Sequence, residues 1–315
     1  MNYQYVVQRL LLALVVVLGI TFVVFMIMQI VPGDPARVIL GPYASDEAVA
    51  GLRGRLGLDR PFFEQYFTWL SKAVRGDFGQ SLLNSQDVAP QLQGRIGPSF
   101  ELAMVSLVIG LVIAFPIGII SALKPGSAID IIATIFSQIG VSVPTFWMGI
   151  VLVIVFSLNL NLLPPSGYTP IWEDAGDWLA HIILPAFTAG FVSASIQTRF
   201  IRSAMLDVLN ANYVQTARAK GLPERTVITR HALRNALINI VTIIGLQITA
   251  LFSGIVIVEV VFSWPGLGRL AFNAVEERDY PLLQGAVMVV AIMVTLVNLF
   301  VDLLYFLLDP RIEYA

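Results

Sequence analysis

Seven cationic side chains crowd one stretch of this chain: Arg199, Arg202, Arg218, Lys220, Arg225, Arg230 and Arg234, opposed only by Asp207 and Glu224. Such a run does electrostatics rather than bond chemistry. It holds its segment on the cytoplasmic side of a membrane and offers a docking surface to a partner there. Inside it, residues Gln215 to Leu222 read QTARAKGL, helical text broken by Gly221. Tyr213, Ala217 and Lys220 share a face at i, i+4 and i+7. Ala217 and Ala219 are small, so another surface can approach the backbone closely. Gly221 suits the left-handed residue that ends a helix. Pro223 suits the first turn of a new helix, and Glu224 favours that helix's positive end. The stretch therefore reads as helix, glycine turn, helix.

Other groups offer less chemistry. Glu259 and Asp302 fall near the ends of apolar segments, Asp302 four residues after Asn298 and on its face. Acids in such places are functional candidates, but near an interface pairing or capping is the better expectation. His181 and His231 are the only histidines and both read as interfacial, and there is no cysteine. Disulfides, thiolate metal sites and cysteine nucleophiles are excluded, and no metal site is expected. No Ser–His, paired-Asp or H-E-x-x-H arrangement lies in the apolar segments, so no catalytic residue is expected. No G-x-x-x-x-G-K-[ST] is present, so the chain has no phosphate cradle for ATP and no cofactor of its own. Ser137, Gln138, Ser142 and Thr145 are candidates to line a polar path.

The elements that must position these residues are apolar. Of 315 residues, 57% are hydrophobic and 13% charged, against about 25% charged in soluble domains; mean hydropathy is +0.80. Six segments are long enough to cross a bilayer, which takes roughly 20 residues: 10–31, 102–123, 131–158, 182–201, 238–262 and 282–308. The first exceeds a signal-peptide core of about 7–15 residues and no A-x-A-like site follows it, so it is expected to be retained. Pro116, Pro144 and Pro185 are expected to make ordinary packing bends. Gly140, Ser142 and Gly149, with Gly245, Ser253 and Gly254, are suited to close helix approach. The connection after the second segment carries Lys124 and the one after the fourth is the basic stretch, whereas 159–181 holds Glu173, Asp174 and Asp177 without Lys or Arg. Both termini are therefore expected in the cytoplasm. Three regions follow: 1–31, a cytoplasmic N-terminus and first span; 32–100, an extracytoplasmic subdomain; and 101–315, a five-span core with the basic loop near 203–237. Within the second, Ser45-Asp46-Glu47 starts a helix running to Leu56, and a run from Phe62 to Val74 is amphipathic and rich in aromatics. That run is expected to form an interfacial belt, a platform for a soluble partner, or both.

The basic stretch resembles the EAA loop of ABC importer permeases, in which a short helix, a glycine and a second helix fit a groove on an ATPase subunit. Gln215, Thr216 and Ala217 match the E-A-A triplet and Gly221 the glycine. Gln215 replaces the usual Glu and Arg234 a frequent Pro. VPGDP (31–35), GLDRP (57–61), RGDFGQSL (75–82), TARAKGL (216–222), HALRNAL (231–237), FSWPGLGRL (262–270), RDYPLLQG (278–285) and NLFVDLLYFLLDPRI (298–312) each resemble the dipeptide/oligopeptide/nickel permease family. The likeness is to its first permease subunit, the type with a long first outer loop. The resemblance implies an all-α, six-helix type I permease fold in a bacterial inner membrane. It implies a second permease subunit, two ATPase subunits binding ATP and Mg, an extracytoplasmic binding protein, surrounding lipid, and no nucleic acid. It assigns ATPase coupling to Tyr213, Gln215, Thr216, Ala217, Ala219, Lys220, Gly221 and Leu222. The alternative is an ion-coupled secondary transporter, which normally needs acids or broken helices at mid-membrane. Cargo within the family spans dipeptides, longer peptides, glutathione-like compounds, opines and chelated nickel.

Overall fold

The structure is a computed structural model describing residues 3–30, 35–41 and 43–308. Most of the VPGDP motif (31–34) and the terminal DPRI (309–312) lie outside the described residues. In chain order the helices are α1 Tyr3–Ile30, α2 Pro35–Leu40, α3 Asp46–Leu56, α4 Phe62–Ala73, α5 Val88–Leu123, α6 Ala128–Ser142, α7 Thr145–Leu152, α8 Ala175–Leu209, α9 Asn212–Ala219, α10 Glu224–Thr226, α11 Arg234–Val261, α12 Leu267–Glu276 and α13 Tyr280–Leu308. π-helical stretches, Val153–Asn159 and Val227–Leu233, continue α7 and α10.

Among the described residues five helices are long and apolar enough to cross a membrane, Val7–Ile27 and Asn239–Val261 within α1 and α11, all of α5 and α8, and Tyr280–Asp302 within α13, and a bent pair, Ala128–Ser142 with Thr145–Asn159, makes a sixth when taken as one span. The expected span 131–158 is not one helix. It is α6 and α7, bent by 103° at the break, so Pro144 does far more than bend a helix. Pro144 has no N–H to donate and forces its predecessor out of the α region; Val143 is extended at φ −83°, ψ 124°. The second helix begins at Val88, well before the expected residue 102, and is 36 residues long.

Residues 1–99 and 265–296 form one compact unit, and 100–264 with 297–315 form another. In the first, Ser45 caps α3 by accepting the Ala48 N–H at 3.3 Å, and Arg37 pairs with Asp46 at 2.6 Å. The aromatic run of α4 packs on α1. Phe62 lies edge-on to Phe22 and Phe25, with centroids 5.6 and 5.4 Å apart. Tyr66 is buried, its hydroxyl 3.0 Å from Thr21 Oγ1. Only Phe63 and Phe67 of this cluster are left strongly exposed, so the expected aromatic belt is mostly an internal seam. A second core joins Val88 and Leu92 of α5 to Leu267 and Ala274 of α12 and Leu282, Leu283 and Ala286 of α13. Asp279 is buried beside it, accepting the Ser81 hydroxyl and the Leu82 N–H.

The second unit is organised around α8, which packs on α6, α7 and α11. Small residues permit this, as a Cβ on Gly190 would come 2.7 Å from the Ser106 carbonyl of α5 and one on Gly140 would overlap Ser195. Gly254, by contrast, faces open space. Toward the end of α8, Ile201, Ala204, Met205 and Leu209 form a core with Ala114 and Ala122 of α5, Ala232 of the π-helical stretch, and Ala236 and Ile240 of α11. Deep apolar packing thus extends to the foot of the basic stretch.

Candidate coupling surface

α8 ends at Leu209, and a two-residue joint, Asn210–Ala211, leads into α9. The helix that precedes Gly221 is therefore short and set off from α8 by that joint. α9 is polar and short, and a Schellman turn closes it. The Leu222 N–H donates to Ala217 O at 3.4 Å and the Gly221 N–H to Arg218 O at 2.9 Å. Gly221 is left-handed, at φ +75°, as a residue in that position must be. Pro223 is extended at φ −61°, ψ 139°, and α10 follows with Glu224 in its first turn.

Two contacts make this turn rigid. Val214 and Ala217 of α9 bury themselves against Val227, with Val208 alongside. Across the turn, Arg218 grips Glu224 with a fork, Nε to Oε2 at 3.2 Å and Nη2 to Oε1 at 2.7 Å. Hydrogen bonding to Arg218 holds the Glu224 carboxyl below its ordinary pKa, and the same bond raises Arg218. The expectation that Ala217 invites close approach is corrected: it faces inward and is 6% exposed. What faces outward is Tyr213, Gln215, Thr216, Ala219, Lys220, Gly221 and Leu222. Tyr213 and Leu222 give this polar surface two exposed apolar points.

The four candidate path residues are not brought to one face. Ser137 is buried, Gln138 and Ser142 are exposed, and Thr145 lies beyond the break on α7. Glu259 is fully buried and engaged. Asp174 caps α8, accepting the N–H groups of Gly176 and Asp177 at 2.8 and 3.0 Å. Near it, Tyr168 donates to Glu101 at 3.2 Å and stacks edge-on to buried Trp264. Burial, reinforced by the Glu101 charge, pushes the Tyr168 phenol up to about 12.

One polar constellation escaped sequence reading. Arg202, counted above with the basic stretch, turns inward from α8 onto Asp130 of α6. Its Nε lies 2.6 Å from Oδ1 and its Nη2 2.8 Å from Oδ2. Ser121 adds a hydrogen bond to Oδ1 at 2.5 Å and the Gly126 N–H one to Oδ2 at 2.9 Å. Asp130 is 5% exposed with every lone-pair direction used. The fork pins the α5–α6 connection to the stem of α8, about two turns before that helix ends at Leu209. An acid just after the Ser127 N-cap was the one available signal.

Long apolar helices packed through small residues, with a rigid polar helix-turn-helix spliced between two of them, define a membrane permease subunit. The comparisons make this specific: the chain belongs to the family of binding-protein-dependent transport system inner membrane components. Residues 114–314 match that family, and residues 2–112 match the N-terminal region of the same membrane component. The oligopeptide transport system permease protein AppB of Bacillus subtilis (strain 168) is 40% identical, covering 98% of this chain and 99% of its own. The dipeptide permease protein DppB of Escherichia coli (strain K12) is 38% identical, covering 99% of each chain. The glutathione permease protein GsiC of the same strain is 39% identical, again over 99% of each. Among solved structures, an inward-facing MetNI methionine ABC transporter shares the fold at a TM-score of 0.56 and 16% identity, over 70% of this chain and 96% of that one. An amino acid ABC transporter does so at 0.52 and 15%, over 71% and 94%. This chain is a multi-pass membrane permease subunit of the ABC importer type.

Proposed function

We propose that the turn around Gly221 is the surface through which ATPase subunits drive this permease, and that the cargo is a short peptide. The observation that carries the first part is the braced Schellman turn with Tyr213 and Leu222 exposed on it. A turn held by its own small core and by the Arg218–Glu224 fork keeps its shape when pushed, as a force-bearing contact must. Two ATPase subunits bind ATP and Mg, a second permease subunit completes the path, and an extracytoplasmic binding protein delivers cargo. Closure of the ATPases moves α9, and the joined helices switch the cavity by alternating access. Both termini are cytoplasmic in a bacterial inner membrane, with residues 32–100 outside. Peptide cargo is supported by the relatives that match over nearly their full length, which are permeases of oligopeptide, dipeptide and glutathione systems.

The absence of cysteine from the chain gives a clean test. Single cysteines at Tyr213 and Leu222 should cross-link to an ATPase subunit, while one at buried Val227 should not. Cross-linking to no subunit from either exposed position would remove the coupling assignment. Uptake of labelled dipeptide that needs ATP and survives an ionophore completes the test; ionophore-sensitive uptake would favour an ion-coupled transporter.

A further inference from the structure

Within the first unit, Val24 and Ile27 of α1, Ala274 and Val275 of α12, Arg278, and Tyr280, Leu283 and Val287 of α13 line a cavity of about 320 Å³. This lies at the small end of ligand pockets, roughly 300–1,000 Å³. The candidate spans set its depth. The candidate span of α13 begins at Tyr280, the first residue of that helix, so the mouth lies where hydrocarbon meets headgroups. From Tyr280 to Val287, seven residues of helix carry the lining about 10 Å inward, and that inner part is wholly apolar.

Two features at the mouth lack a structural purpose. The Tyr280 hydroxyl belongs to a residue 8% exposed and has no hydrogen-bond partner among the described residues, a costly arrangement unless a ligand supplies one. Arg278 is left-handed, at φ +57°. It occupies the closing position of a Schellman turn on α12, with the Asp279 N–H on Ala274 O at 2.9 Å and its own N–H on Val275 O at 3.2 Å. Glycine fills the matching position at Gly221; an arginine there holds a strained backbone conformation. The adjacent carboxylate Asp279 is committed to Ser81 and Leu82, which leaves the guanidinium to others. Glu276 and Glu277, next in sequence, are exposed.

We infer that this cavity binds one phospholipid with a zwitterionic, primary-ammonium headgroup. An acyl chain fills the apolar depth, and the phosphate takes the Arg278 guanidinium and the Tyr280 hydroxyl. The ammonium answers the negative charge of Glu276 and Glu277, which would repel a purely anionic head.

The full chain, purified in detergent with the subunits that accompany it, should retain about one phosphatidylethanolamine per chain by mass spectrometry after washing. Arg278→Gly should lower retention about tenfold without lowering Tm, because glycine relieves the left-handed strain. Tyr280→Phe should also weaken retention at unchanged Tm, and Val287→Trp should expel the lipid by filling the cavity. Micelles doped with phosphatidylethanolamine should restore binding to stripped protein; phosphatidylglycerol should not, and millimolar inorganic phosphate should not compete. Wild-type retention in Arg278→Gly would overturn the inference, as would equal uptake of phosphatidylglycerol. So would a photoactivatable residue at Val275 that captures a protein subunit instead of lipid, because the cavity would then be an interface.

Discussion

Replacing Gly221 isolates one physical variable. Its φ is +75° and a Cβ added there meets nothing within 4 Å, so substitution costs conformation and not space. An L-residue with a Cβ in that region costs roughly 1–2 kcal/mol, and a β-branched one approaches the upper end of about 1–3 kcal/mol. Asparagine tolerates the region best after glycine. At about 1.4 kcal/mol per tenfold change, ATPase association should fall little for Gly221→Asn. It should fall roughly five- to thirtyfold for Gly221→Ala and beyond a hundredfold for Gly221→Val. The apolar helices are untouched, so all three variants should insert normally. Co-purification of ATPase subunits at graded protein concentration, with uptake alongside, reads the series. Equal loss in all three variants would show that bulk and not φ matters. No loss in Gly221→Val would refute the docking assignment and the reasoning together.

The Asp130–Arg202 fork gives a second expectation: Asp130→Ala leaves the Arg202 guanidinium, 31% exposed, without its carboxylate and should cost up to about 3 kcal/mol, the low end for a buried pair because water reaches the cation, read as a drop in Tm. Asp130→Leu combined with Arg202→Met should recover most of it, and a double variant as unstable as the single would refute the pairing. Glu224 has a lowered pKa, so its contribution to the turn is complete above the ordinary value of 4.5 and is lost as pH falls through the lowered one. Hydrogen exchange at residues 218–224 should accordingly be flat above the ordinary carboxylate value apart from the intrinsic rate, and protection should fall only as pH drops below it. Ala217→Arg should fail by unpacking Val214 and Val227 rather than by blocking a partner, seen as protease cleavage within 212–224 even without ATPase subunits. Exchanging residues 43–54 for a short Gly/Ser linker should lower uptake and leave basal ATP hydrolysis intact; unchanged uptake would leave α3 without a role in delivery.

Local chemistry was legible and distant pairing was not. The Gly221 turn and the Ser45 cap follow from a few consecutive residues, so their text was sufficient. α5 was cut short because Gly94, Arg95, Gly97 and Pro98 read as loop, although the helix continues through all of them. Apolar length marks only the lipid-facing part of a helix and says nothing of a polar extension. Pro144 looked like Pro116 and Pro185, both of which lie inside unbroken helices, and nothing local separates a bend from a break. Arg202 and Asp130 stand 72 residues apart. Their pairing depends on how α6 packs against α8, and no short motif records that. Ala217 sat on the correct helix but on the wrong side of it, because Val227, its neighbour in space, belongs to the next helix.

The length of α8 sets a mechanical scale. Its 35 residues extend about 52 Å at 1.5 Å per residue, against a hydrocarbon layer of roughly 30 Å. A rod of that size amplifies small angles: tilting it by about 10° about one end sweeps the other through about 9 Å, by its rise per residue alone. Asn210 and Ala211 form the only slack between that rod and α9. In the proposed coupling, a tilt of about 10° at the foot of α8 is therefore enough to move its far end by more than the width of a side chain.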